Sequence, residues 1–235
     1  MKIIGLDSSG LSSSVAIVED DRLVAEYSVN YKKTHSQTLV PMLDEISKMT
    51  ELDLETVDAI AIAKGPGSFT GLRIGSATAK GLGLALNIPI VEIPTTDGLA
   101  YNFFGTDRLI CPIMDARREQ VYTGLYEFKG DKLNVLLPAT AEPIEDTVER
   151  VNSYNRPVIF LGDGVKVFRE KIEALIKVPV TFSAPNKCMQ SAASVATLGM
   201  EYFKAGKTVK AADHVPDYLR LSQAERERNE AANEA

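Results

Sequence analysis

The sequence predicts a two-lobe α/β protein in which one order of elements, strand-strand-strand-helix-strand-helix, occurs twice. Three observations carry the prediction. Each half opens with three short apolar segments separated by turn residues, and each half then passes into helical periodicity. In each half the first strand ends on an aspartate, Asp7 and Asp115. The 235 residues suffice for one large domain or two compact lobes, and 45% hydrophobic with 25% charged residues is an ordinary globular balance.

Strands are expected over 2–7, 13–18 and 23–29, divided by the turn segments Ser8-Ser9-Gly10 and Glu19-Asp20-Asp21 and read as an antiparallel meander. A helix follows over 36–49. Leu39, Met42, Leu43 and Ile46 fill its i, i+3, i+4, i+7 positions, Met49 continues the row, and Pro41 falls near its start. A strand over 59–63, the segment Lys64-Gly65-Pro66-Gly67-Ser68-Phe69-Thr70-Gly71, a helix over 71–86 and a strand over 90–93 complete the first half. In the second half strands are expected over 109–115, 121–128, 133–137 and 158–161, with helices over 144–151 and 165–176. A final helix over 191–203 precedes an extended 215–220. From Ser222 the chain is almost wholly charged or small, a solvated helix or a disordered tail. The lobes are accordingly 1–104 and 105–215, with a C-terminal helix over 216–235 packing back on the first.

Composition excludes several classes of function. Cys111 and Cys188 stand far apart without a secretory signal, so two reduced thiols are expected and not a disulfide framework. His35 and His214 are the only histidines, and no His-Glu-x-x-His, His-x-x-x-His or Cys-x-x-Cys spacing occurs; a metal site built by this chain alone is not expected. A net charge of −6 without a dense Lys/Arg cluster predicts weak binding of nucleic acid by the isolated chain. No apolar run is long enough for a membrane span, so a cytoplasmic protein is expected.

The glycine-rich segment after the 59–63 strand lies where a phosphate loop would lie. A P-loop requires Lys-Ser/Thr after its last glycine, where this chain has Leu72-Arg73; a dinucleotide fingerprint requires one residue fewer between Gly67 and Gly71. What remains is a strand-to-helix turn that offers a helix N-terminus to an anion or carbonyl. In the helix beyond it Arg73, Ser76 and Lys80 form one narrow polar stripe, and Gly71, Gly75, Ala79 and Gly83 align at intervals of four. Such a stripe of small residues admits another backbone closely. It serves either packing on the chain's own sheet or a helix-to-helix interface with another subunit, and the Met42/Met49 helix beside it fits the second reading.

The segments IIGLDSSGLSSSVAIVED, HSQTLVPMLDEI, KGPGSFTGLRIG, PIVEIPTTDGLA, MDARREQVYTGLY, FLGDG and PDYLRLSQAE together resemble the TsaB (YeaZ) family, over nearly the whole chain. The resemblance implies the fold of the actin, Hsp70 and sugar kinase ATPases (ASKHA, RNase H-like), a duplicated βββαβα. It implies a non-catalytic dimerisation subunit of the tRNA N6-threonylcarbamoyladenosine complex, paired with a catalytic TsaD-like subunit and supporting a TsaE-like ATPase. ATP and metal would sit on those partners, none being bound independently by this chain. tRNA would be met only through the complex, and a homodimer is allowed in isolation.

The interface implied by the resemblance comprises His35, Leu39, Met42, Leu43, Ile46, Gly71, Arg73, Gly75, Ala79 and Gly83. Asp7, Ser8 and Ser9 correspond to a vestigial phosphate turn, while Asp115-Ala116-Arg117-Arg118 lacks glycine and puts two long side chains where phosphates would lie. The alternatives are an autonomous phosphotransferase of the same fold and a peptidase, the latter without a discernible Ser-His-Asp or zinc motif. Gly75→Leu or Met42→Glu is expected to weaken pairing while leaving the lobes folded.

Overall fold

The computed structural model describes residues 1–219. Alternation of apolar residues and tight turns produces the meander β1 (Lys2–Asp7), β2 (Ser13–Glu19) and β3 (Arg22–Val29). Then come α1 (His35–Met49), β4 (Ala59–Gly65), α2 (Phe69–Leu86) and β5 (Ile90–Pro94). A short helix, α3 (Thr95–Ala100), leads to β6 (Leu109–Asp115), β7 (Gln120–Lys129) and β8 (Lys132–Pro143). The chain continues through α4 (Ile144–Ser153), β9 (Val158–Leu161), α5 (Gly164–Leu175), β10 (Val180–Phe182), α6 (Pro185–Cys188) and α7 (Ala192–Lys204).

Two five-stranded sheets result, in the orders β3-β2-β1-β4-β5 and β10-β9-β6-β7-β8. Read from β8, the second order repeats the first position by position. In each sheet the opening strand pairs antiparallel with the next and parallel with the strand that follows the helix: Gly5 faces Ala16 on β2 and Ala61 on β4, and Cys111 faces Phe160 on β9. The fold is the duplicated two-lobe α/β architecture expected from the element order.

Helices cover the first sheet on both faces. Leu39, Met42, Leu43 and Ile46 of α1, with Ala79 of α2, close over Ile4, Leu6, Val15, Ile17, Ile60 and Ile62. On the other face Val195, Ala196, Leu198 and Met200 of α7 pack on Ile3, Ala59, Ala61, Val91 and Ile93. This placement corrects the lobe boundary read from the sequence, because α7 falls within 105–215 yet belongs to the N-terminal sheet. The close approach depends on small residues: a Cβ on Gly199 would lie 2.6 Å from that of Ala61, and one on Gly5 would strike the Ala192 carbonyl. α4 and α5 cover the second sheet through Ile144, Val148, Val151, Val165, Phe168 and Ile172.

Beyond α7 the chain straps the outer edge of the first sheet. Val209 bridges Ile90, Ala211 lies against Gly83 of α2, and the Asp217 amide donates to the Lys64 carbonyl at 2.7 Å. Residues 216–219 of the helix expected over 216–235 are without helical structure, and the rest of it lies outside the described residues.

Candidate functional site: the interlobe cleft and the α1–α2 face

β1 ends at Asp7, buried at 1% exposure, where the chain must turn. Asp7 Oδ1 accepts from the Ser9 amide at 2.9 Å and the Ser9 hydroxyl at 2.6 Å. Burial pushes the Asp7 carboxyl up to about 6, against the pull of the two Ser9 bonds. The glycine-rich segment is pressed onto this turn. The Ser68 amide donates to the Ser9 carbonyl at 2.7 Å, the Ser8 hydroxyl donates to the Gly71 carbonyl at 2.8 Å, and a Cβ on Gly71 would collide with the Ser8 carbonyl. Gly65, at φ 128°, lets the strand turn under the Asp217 carbonyl. Ser68 caps α2, its hydroxyl accepting from the Gly71 amide at 3.3 Å, so the helix begins at Phe69, two residues before the expected start. The segment is thus a clamp on the first turn, and the Ser68 amide that could meet a phosphate is already bonded within the chain.

His35 opens α1 behind the Thr34 capping box. Its Nε2 lies 2.9 Å from the Gly10 carbonyl and its Nδ1 3.0 Å from the Ser13 hydroxyl, which itself accepts from Thr38. A carbonyl can only accept, so Nε2–H donates to Gly10, and in that neutral tautomer Nδ1 accepts a hydrogen bond from the Ser13 hydroxyl. Both ring nitrogens are committed to holding the start of α1 against the first turn.

The second lobe presents a different turn. The Arg117 amide donates to Asp115 Oδ1 at 2.8 Å, and its guanidinium lies 3.2 Å from Oδ2. Asp163, its carboxyl raised by burial, accepts from the Asp115 amide at 3.2 Å. Arg117, Arg118 and Glu119 all have positive φ (65°, 54° and 59°), an unusual run for residues with side chains. Between the turns lies a cleft of about 550 Å³ lined by Ser9, Gly10, Lys33, Gly67, Asp115 and Asp163 among others; Asp7 is not part of its wall. Among the described residues no three His, Cys, Asp or Glu side chains group as a metal site would require.

The predicted interface residues are distributed unexpectedly. Leu39, Met42, Leu43 and Ile46 are buried in the chain's own core, and so are Gly71, Gly75, Ala79 and Gly83. The row of small residues in α2 meets Ser8 at Gly71 and Gly75, the core at Ala79 and Ala211 at Gly83, so internal packing uses that face. Of that set only Arg73 is exposed, its guanidinium lying 4.1 Å over the Phe69 ring. The exposed side of α2 is formed by residues that the helical pattern did not single out: Ala77, Gly81, Leu84 and Ala85, flanked by Ile74 and Thr78. Lys80, which would add a charge nearby, donates instead to the His214 carbonyl at 3.0 Å. The periodicity of α2 is ambiguous because both of its sides are apolar or small, and only the packing tells them apart.

The family model described as TsaD, tRNA N6-adenosine threonylcarbamoyltransferase, matches residues 22–228. The tRNA threonylcarbamoyladenosine biosynthesis protein TsaB of Bacillus subtilis is 36% identical over 228 residues, which cover 96% of each chain. Among solved structures, YeaZ from Pseudomonas aeruginosa superposes with a TM-score of 0.81 at 25% identity, covering 93% of this chain and 99% of that one. An inorganic polyphosphate/ATP-glucomannokinase from Arthrobacter shares the fold alone, with a TM-score of 0.51 at 12% identity, over 87% of this chain and 99% of the kinase.

Proposed function

The chain belongs to the TsaB family of tRNA threonylcarbamoyladenosine biosynthesis proteins, and from that premise we propose that it is a non-catalytic subunit pairing with a TsaD-like tRNA threonylcarbamoyltransferase. The exposed side of α2 carries this reading. From Ile74 to Leu86 it presents apolar or small residues and Thr78, and the one charged side chain in that stretch is tied back to the His214 carbonyl. Beyond Arg73, which lies one turn earlier on the same side with its guanidinium over the Phe69 ring, this face carries no exposed charge and is a surface suited to being covered by protein. Val40 and Met49, 55% and 76% exposed, add apolar surface to the neighbouring α1.

The non-catalytic part of the reading is supported by the state of the candidate groups. Asp7 is engaged by its own turn, and both nitrogens of His35 are engaged by backbone and serine. ATP and metal would be held by the partners, a TsaE-like ATPase would dock beside the pair, and the complex would work in the cytoplasm. A homodimer through the same face would compete with the heterodimer, since one face covers one partner at a time.

A binding titration of the purified chain with the transferase subunit tests the pairing. Leu84→Arg is expected to weaken it roughly tenfold or more, because a charge would be buried without a partner, whereas Val167→Arg on the exposed side of α5 leaves it unchanged. Equal affinities for both variants would reject the α2 face. Turnover of ATP by the isolated chain would instead favour the autonomous phosphotransferase.

A further inference from the structure

The cleft has a floor and a mouth of different chemistry. At the floor the amide of Ser68 is committed to the Ser9 carbonyl, and Asp115 and Asp163 supply carboxylates where an anion would be repelled. One exposed cation lines the cleft from each lobe, the second of them shared with a carboxylate. Lys33, beside Lys32, lies on the N-terminal lip, and Arg117, beside Arg118, lies on the C-terminal lip. Arg117 is 82% exposed although paired with Asp115, while Lys32, Lys33 and Arg118 have no ion pair among the described residues.

The walls are aromatic. Tyr31, Phe69, Tyr122 and Tyr218 line the cleft, with Phe69 and Tyr218 in contact at 4.7 Å between centroids and tilted by 38°. Tyr31 stands at the lip with 71% of its surface exposed, a position that packing does not require. The Arg117 to Glu119 run holds three non-glycine residues in the left-handed region on the opposite lip, a conformation that costs about 1–3 kcal/mol per residue and concentrates at ligand clamps.

From this arrangement we infer that the mouth of the cleft is a contact site for a single strand of RNA. One unstacked base enters between the aromatic walls, and the phosphates on either side of it meet Lys33 and Arg117. Single-stranded RNA is bound in this manner, by stacking on aromatic rings beside a positive groove. The volume suits one nucleoside, within the range of about 300–1,000 Å³ of small-ligand sites. Cations at the rim together with carboxylates at the floor favour a strand whose phosphates stay outside over a free nucleotide whose phosphates would enter. The floor carboxylates accept hydrogen bonds from an exocyclic amine or a ribose 2′-hydroxyl. The inference deepens the proposed function and rests on it for the strand being part of a tRNA; the contact itself belongs to this chain alone.

The test uses fluorescence anisotropy of a labelled single-stranded RNA oligonucleotide with the isolated chain at low salt, over a salt series. The double variant Lys33→Glu/Arg117→Glu is expected to lose at least tenfold in affinity and to flatten the salt slope by about 1–2, since each single-strand phosphate contact contributes roughly 0.7. Tyr31→Ala should lose several-fold with the slope unchanged, and Lys177→Glu, at an exposed lysine that does not line the cleft, should bind as the unaltered chain does. Circular dichroism verifies that each variant is folded. Equal loss with Lys177→Glu, no measurable binding by the unaltered chain, or complete competition by a free mononucleotide would each overturn the inference. Pairing with the transferase subunit is measured in parallel. Intact pairing without an RNA effect rejects the RNA site alone, and an RNA effect without pairing rejects the subunit reading alone.

Discussion

At the residue scale, Asp7 combines a catalytic-looking position with a structural set of contacts. Its folded pKa of about 6 lies above the ordinary carboxylate value of 3.8, and burial is the principal cause. The native state therefore holds this proton more tightly than the unfolded chain does. The stabilisation is full below about pH 4 and is lost as pH rises through about 6, with a limit of roughly 3 kcal/mol at about 1.4 kcal/mol per unit. Asp7→Asn keeps an oxygen to accept from the Ser9 amide and removes the titration. Urea unfolding at pH 4.5 and pH 7 should show this variant gaining stability relative to the unaltered chain at the higher pH. An identical difference at both values would contradict the assignment of the buried acid.

The substitutions chosen from sequence periodicity take on a different meaning at this scale. A Cβ on Gly75 meets the Ser8 hydroxyl and the end of Ile62, and Met42 is 4% exposed within the core under α1. Gly75→Leu and Met42→Glu would therefore overpack or charge the core, lowering stability by several kcal/mol and expressing poorly folded protein. A thermal melt decides the matter, and an unchanged Tm in either variant would be incompatible with the burial described. These substitutions cannot isolate a partner interface, and the outward Leu84→Arg takes their place.

At the element scale, much of the fold was legible. The two meanders, the helices after them and the aspartate closing each first strand followed from apolar alternation, turn residues and 3.6-residue periodicity. Other elements carried weaker local signals. α3 has only six residues, with a glycine among them, and β10 only three, too short for a period to register. β8 runs to Pro143 through Pro138, which reads as a strand breaker but is tolerated because β8 is the edge of its sheet.

The candidate site was legible at the level of which helices matter and not which side of them faces outward. In α2 both sides are apolar or small, so the glycine row suggested a partner when its occupants were Ser8, Ile62 and Ala211 of the same chain. The cleft could be seen only after folding had brought Tyr31 and Lys33 into one wall system with Arg117; in sequence each segment is too short to count as a basic patch.

At the scale of the whole molecule, the lobes are joined by a continuous core and not by a bare hinge. Leu99 and Ala100 of α3 pack with Ile110, Met114, Tyr126 and Leu161 of the second sheet. Within this join the Tyr126 hydroxyl lies 2.9 Å from Asp97 Oδ1 and 2.7 Å from Thr96 Oγ1, both hydrogen bonds buried. Tyr126→Phe leaves the Asp97 carboxyl with the 3.4 Å bond from Tyr202, and a loss of about 1–3 kcal/mol is expected in chemical denaturation. A change below about 0.3 kcal/mol would mean that the network does not tie the lobes.

Omission reconstitution addresses the central claim most directly: tRNA modification by the transferase subunit, the ATPase and the remaining pathway proteins, with and without this chain. Modification that requires the chain, falls with Leu84→Arg in proportion to lost pairing and persists with Asp7→Asn is the predicted result. Full modification in its absence, or loss of modification with Asp7→Asn while pairing and folding remain intact, would contradict a non-catalytic partner subunit.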